Sequence, residues 1–204
     1  MSAMSHVLLA TRNAGKLREV REIAAGTGWV WHTLAEFADL ADVDEAGATF
    51  AENARLKALH YARLTGLPTL ADDSGLEVDV LSGAPGVHSA RFAGTPRDDA
   101  ANNRKLLGLL AGVPLARRTA RFRCAMALVR EGRVVLESAG TFEGLIGDEA
   151  RGSNGFGYDP HFLVPDLGLT AAELPPQEKN ARSHRGQALR AMLKQMETSC
   201  KRGS

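Results

Sequence analysis

The chain has 204 residues, 44% of them hydrophobic and 24% charged, with a formal net charge of +1. That length holds one domain with a sizeable core, and the near-neutral balance excludes the basic field of a general nucleic-acid or membrane-surface binder. Two cysteines provide neither a disulfide framework nor a metal-ligand spacing.

No apolar stretch reaches the ~20 residues of a membrane span. The opening "MSAMSHVLLATRN" lacks the basic start and long apolar core of a signal peptide. The expectation is a single domain over 1–204 in the reducing cytoplasm, with 1–5 and 198–204 as flexible tails. Neither nucleic acid nor membrane is expected as a partner.

In chain order, "HVLLA" (6–10) reads as a short buried strand, the polar turn "TRNAGK" (11–16) follows, and a helix runs from Lys16 to about Ala25. "WVWHTL" (29–34) is a second strand candidate, and "DVDEAG" (42–47) is acidic. The clearest helix begins at Thr49, which has capping-box spacing with Glu52, and Gly66 stops it. Phe50, Ala54, Ala58, Tyr61 and Ala62 recur at helical spacing and should face the core. Asn53 and Lys57 lie on another stripe, one turn apart.

"PTLAD" (68–72) reads as a strand with the acidic pair Asp72 and Asp73 at its C-terminal end. Thr95 and Pro96 are expected to open a helix ending near Gly112. Residues 119–129 alternate, with Phe122, Cys124, Met126 and Leu128 on one face. Arg117, Arg118, Arg121 and Arg123 read as a solvated face, because no aromatics interleave as a single-strand-binding surface requires. Glu131 and Gly132 turn the chain into a β-hairpin with "RVVLESAGTFEG". The last helix, Ser183 to about Glu197, puts Leu189, Met192, Leu193 and Met196 on one face. Helices mixed with hairpin and crossover strands predict an α/β fold with a mixed sheet.

Four stretches could carry chemistry. "TRNAGK" leaves a strand and opens a helix, where backbone N–H groups and the helix dipole favour phosphate. It is not a P-loop, since the first glycine is missing and Leu17 stands where Ser or Thr would be. Thr11, Asn13 and Lys16 are its candidates; an ordinary strand-to-helix turn is the alternative. "ADDSG" offers carboxylates to a hard divalent cation, with Glu45 as a further acid, against the alternative of an acidic turn.

"GSNGFGYDPHF" (152–162) combines glycines for close backbone approach with Phe156 as a surface for a base, or else is a Gly-rich hairpin end. In "EKNARSHRGQAL" (178–189), His184 and Arg185 occupy a helix first turn, where the macrodipole favours anions. Such a broken local rule marks function, with Lys179 on the same approach, unless these cations merely bridge surface acids. Together these are the parts of a nucleoside triphosphate site.

"TRNAGK", "GATFAENARLKA", "ADDSGLEVDVLSGAPGVHSARFAG", "GFGYDPHF" and "EKNARSHRGQAL" resemble, in order, the signature segments of the Ham1/inosine triphosphatase family. The resemblance runs from Val7 to about Leu193. It implies an elongated mixed β-sheet flanked by helices, in two lobes with an active-site cleft between them, and a homodimer. It also implies Mg2+-dependent hydrolysis of ITP, dITP and XTP to the monophosphate and pyrophosphate, cleansing the nucleotide pool.

Carried over, Thr11, Arg12, Asn13, Ala14, Gly15 and Lys16 match the phosphate-binding segment. Asp73 matches the proton acceptor and a metal ligand, Ser74 a substrate contact, and Glu45 an acid near the metal. Phe156, Gly157, Tyr158, Asp159, Lys179, His184 and Arg185 match the base pocket. Magnesium, with the positively ringed triphosphate site, is then the expected partner of Asp72 and Asp73. Two alternatives stand beside this: a Maf-type pyrophosphatase for pyrimidine or other modified nucleotides, against which "SHRG" and "FGYDP" argue, and a non-catalytic nucleotide sensor. The double proline of "LPPQ" departs from the family pattern.

Overall fold

The computed structural model describes residues 6–37 and 40–202, and the expected tail at 1–5 lies outside them. The elements are β1 (His6–Leu9), α1 (Ala14–Ile23), β2 (Val30–Thr33), α2 (Phe50–Thr65), β3 (Thr69–Val78), α3 (Asp99–Leu109), β4 (Thr119–Arg130), β5 (Arg133–Ile146), β6 (Phe162–Val164), β7 (Leu169–Thr170), α4 (Pro176–Arg182) and α5 (His184–Arg202). The expected C-terminal tail is therefore helical as far as 202, because α5 continues past Glu197.

The strands form one sheet in the order β2-β1-β3-β4-β5-β6-β7. β1 is parallel to β2 and β3, whereas β6 is antiparallel to β5 and β7, so the sheet is mixed as expected. The chain divides into two compact units. The first takes residues through Asp73, Cys124–Gly140 and those from Arg185 on; the second takes Ser74–Arg123 and Thr141–His184.

In the first unit, alternation along the strands sorts side chains to two faces. Val7, Leu9, Leu70, Cys124, Met126 and Leu128 pack with Val20 of α1, with Ala24 just after it, and with Leu189, Met192, Leu193 and Met196 of α5. Leu8, Ala10, Ala71, Ala127 and Val129 pack with Ala54, Ala58, Tyr61 and Ala62 of α2. The capping box at Thr49 and Glu52 is present, and Gly66 closes the helix. The second unit has its own core, built from Leu76, Val78, Leu106, Leu110, Phe122, Phe142, Tyr158, Phe162 and their neighbours.

Three expectations change. β3 runs on to Val78, so the acidic pair lies inside a strand and not at its end. α3 begins at Asp99, capped by Asp98, whose side chain accepts from Ala101 N; Thr95 and Pro96 precede it. Arg117, Arg118, Arg121 and Arg123 are not a uniformly solvated face. Arg118 is 6% exposed and donates to Val113 O at 2.8 Å and to Asp148. Arg121 pairs with Asp79 and Glu143. From Met126 to Val129, β4 is buried on both faces, which hides the alternation. The short α4 had no signal beyond its double proline, where Pro176 takes the first helical position.

Candidate active site

Neighbouring residues on a strand point to opposite faces, and this resolves the crowding of Asp72 and Asp73. Asp72 is 2% exposed. Its Oδ2 pairs with Lys16 Nζ at 2.8 Å and accepts from Arg185 Nε at 3.3 Å. Arg185 NH1 also pairs with Glu19 of α1. Burial alone would raise the Asp72 pKa, but Lys16, Arg185 and Lys57 outweigh it and hold the carboxyl well below the usual range. Asp72 is thus neutralised by this chain's own cations, Lys16 of the expected phosphate segment and Arg185. The nearby Cys124 thiol is pushed up to about 12 by burial and by Asp72, so it is no nucleophile.

Asp73 has a different environment. Its Oδ2 accepts from Asn53 Nδ2 at 3.0 Å, while Asn53 Oδ1 accepts from Gly47 N at 2.8 Å. A side chain at Gly47 would sit 2.6 Å from Asn53 Oδ1, so only glycine lets that loop close on the amide. With both ends engaged, the Asn53 amide has one orientation and so has the carboxylate. Burial raises the Asp73 pKa most; Lys16, Lys57 and Asn53 pull it back, and Glu45 pushes it up again, leaving it raised overall. Lys57 pairs with Glu45 at 3.0 Å and donates to Asp72 O at 3.1 Å. It stays charged because Asp72, Glu45 and Asp73 outweigh its burial.

Asp73 and Glu45 are hard oxygen donors whose mutual repulsion a divalent cation would relieve, so they fit magnesium, which takes one or two carboxylates and keeps waters or phosphates. No group of three or more His, Cys, Asp or Glu suited to a metal occurs among the described residues. The positioning role of Asn53 is testable. Asn53→Ala is expected to lower kcat about 10- to 100-fold, the usual cost of losing the partner that orients a metal-binding or reacting side chain. Unchanged kcat would show that Asp73 orients itself.

The segment 11–16 is partly spoken for. Asn13 caps α1, its Oδ1 accepting from Gly15 N at 2.9 Å and Lys16 N at 3.2 Å. Its own N–H donates to Thr11 Oγ1. Arg12 turns away to Asp42 and Leu40 O. Ala14 and Gly15 form the first turn of α1, so Lys16 is the segment's best-placed cation.

In the second unit, the 152–162 stretch folds back on Asp159. Asp159 Oδ2 accepts from Phe156 N at 2.8 Å and pairs with Lys179 Nζ at 2.7 Å, both side chains being buried. Gly155, at φ +81°, lies so close that a Cβ would stand 2.1 Å from Asp159 Oδ2, which is why a glycine is required there. Phe156 is half-buried, with Lys179 Nζ 5.4 Å and Arg97 Cζ 5.9 Å from its ring centre. Gly157 follows, held by Asp99 and Asn103 of α3.

Tyr158 is a core residue whose hydroxyl donates to Ser89 O at 2.8 Å. His184 stacks on Phe122 with ring centres 5.0 Å apart. Ser74 is half-buried on β3 next to Asp73. Lys179, Asp159 and Phe156 are therefore brought together, while Arg185 is drawn to Asp72 and Glu19. Sequence reasoning missed Glu19, Asp99 and Asn103. For Asp99 and Asn103 the signal is helical spacing, since they are four apart and share a face.

The model of the Ham1 family matches residues 7–195. The dITP/XTP pyrophosphatase of Thioalkalivibrio sulfidiphilus is 52% identical over 195 residues, covering 94% of this chain and 98% of that one. A HAM1 protein from Coxiella burnetii matches with a TM-score of 0.87 at 45% identity, covering 96% of this chain and 100% of that one. The Staphylococcus aureus Ham1 protein matches with a TM-score of 0.85 at 37% identity, over the same shares. The chain belongs to the Ham1 family.

Proposed function

We infer that this protein hydrolyses non-standard purine nucleoside triphosphates such as dITP, ITP and XTP, releasing pyrophosphate and the monophosphate. Relatives of about half-identical sequence over almost the full chain, named for that activity, support the inference. The observation that carries it chemically is Asp73, a buried carboxylate with a raised pKa, oriented by Asn53 and beside Glu45. A raised pKa brings a carboxylate closer to the working range of a general base.

In this proposal water attacks the α-phosphorus, its proton passes to Asp73, and the bond to the bridging oxygen breaks to release pyrophosphate. Lys16 meets the phosphates. Asp73 and Glu45 would hold Mg2+, which supplies charge neutralisation to the leaving pyrophosphate. Lys179, fixed by Asp159, donates to the 6-oxo group of the base, and Phe156 stacks against it. Adenine carries a 6-amino donor there and would face donor with donor.

A pyrophosphate-release assay with ITP, XTP, dITP, UTP and ATP tests this. We expect kcat/KM for the 6-oxopurines to exceed that for ATP by orders of magnitude, because an unmatched buried polar group discriminates strongly. Chelation by EDTA should remove activity and Mg2+ should restore it. Preferred cleavage of UTP would favour the Maf-type alternative, and binding without turnover the sensor. We also propose a homodimer acting in the cytoplasm, the former measurable by light scattering.

A further inference from the structure

We propose that Asp99 and Asn103 of α3 are positioning residues that hold Phe156 ready for the base. This rests on the reading of Phe156 as the surface on which the base stacks. The two residues stand one turn apart and hold one residue, Gly157, by its N–H and by its carbonyl. Asp99 Oδ2 accepts from Gly157 N at 3.0 Å, and Asn103 Nδ2 donates to Gly157 O at 3.0 Å. The residue immediately before Gly157 is Phe156, so fixing that backbone fixes where the ring leaves the chain.

Asp99 reaches the ring by a second route. Its two oxygens hold Arg97 at 2.9 and 3.1 Å, and the Arg97 guanidinium lies 5.9 Å from the Phe156 ring centre. One carboxylate thus anchors the backbone after the ring and a cation beside it.

α3 is itself tied down, as a positioning element must be. Asn102 accepts from Ala93 N at 2.7 Å and donates to Ala90 O at 3.2 Å, and Leu106 and Leu110 enter the core of the second unit. Asn103 also carries a buried Oδ1 with no hydrogen-bond partner. A fold that only needed packing would do better with an apolar side chain there, because a buried unsatisfied acceptor is destabilising. The amide is retained for what Nδ2 holds.

The experiment is steady-state kinetics on ITP with the full-length enzyme and Mg2+, alongside thermal melts. Asn103→Ala and Asp99→Ala are each expected to raise KM about 5- to 20-fold with kcat within about twofold, part of the affinity that base stacking supplies. Asp99→Asn, which keeps an acceptor for Gly157 N, should recover most of that loss. Phe156→Ala should raise KM by about tenfold or more, as loss of an aromatic stacking partner does. The Asn103→Ala, Phe156→Ala double variant should be no worse than Phe156→Ala alone, since both act through one ring.

Multiplying effects in the double variant would overturn the proposal, as would unchanged KM in Asn103→Ala and Asp99→Ala while Phe156→Ala is impaired. If Phe156→Ala itself keeps its KM, the stacking surface is wrong and the proposal falls with it. Should Asn103→Ala melt before assay, the Asp99→Ala and Asp99→Asn pair, at a half-buried first-turn position, still decides.

Discussion

Asp73→Asn is expected to lower kcat for ITP by at least ~100-fold while KM stays within a few-fold, the range of general-base contributions. Asparagine preserves the shape and the hydrogen-bonding reach toward Asn53 but takes no proton. A variant retaining a tenth of wild-type kcat would rule Asp73 out as the base.

The pH dependence has a definite sign. The Asp73 carboxyl is raised, mainly by burial, so the base is lost on the acid side at a pH above the ordinary carboxylate value. Added Mg2+ favours the ionised form and should move that limb to lower pH. The stability consequence runs the other way from activity. A carboxyl with a raised folded pKa stabilises the fold only below its unfolded pKa, and that contribution disappears as pH rises through the folded value. Near pH 7 the ionised side chain is therefore a cost, and Asp73→Asn should melt no lower than the wild type.

Much of this was legible in the sequence, for local reasons. Thr49 and Glu52 set the start of α2 because a capping box is complete within four residues. The apolar stripe of α5 and the turn at Glu131 and Gly132 are similarly local. Asn53 and Lys57 shared a stripe, and both do meet the acidic pair: Asn53 the side chain of Asp73, Lys57 the backbone of Asp72.

What stayed hidden depends on long-range partners. That Asp72 and Asp73 face opposite ways required knowing that β3 continues to Val78, which the turn-forming Ser74 and Gly75 conceal. Gly75 is there because a Cβ would sit 2.3 Å from Ser89 Oγ, a contact across fourteen residues of sequence that no pattern announces. Glu19 of α1 is met by Arg185, 166 positions away, a pairing that no local pattern announces.

Arg185 is where this matters most. Arg185→Ala is expected to destabilise the protein by about 3–5 kcal/mol, because it strands Asp72 and Glu19 with a cation removed from a buried network. At this chain length, that corresponds to a fall in Tm of roughly 6–20 °C. Arg185 is 2% exposed, and its charge is secure: burial would lower its pKa, but Asp72 and Glu19 outweigh that and raise it. The depressed Asp72 carboxyl contributes stability above its unfolded pKa and loses it only as pH falls through its lower folded value. The Arg185→Ala penalty should therefore be full at pH 7 and shrink only in strong acid. Arg185→Lys should recover part of it, since one ammonium cannot match a planar fork set between two acceptors. In kinetics, a residue committed to Asp72 and Glu19 should cost ITP and ATP turnover alike when lost. A selective loss on ITP with Tm unchanged would instead put the guanidinium on the base edge, where the sequence motif had placed it.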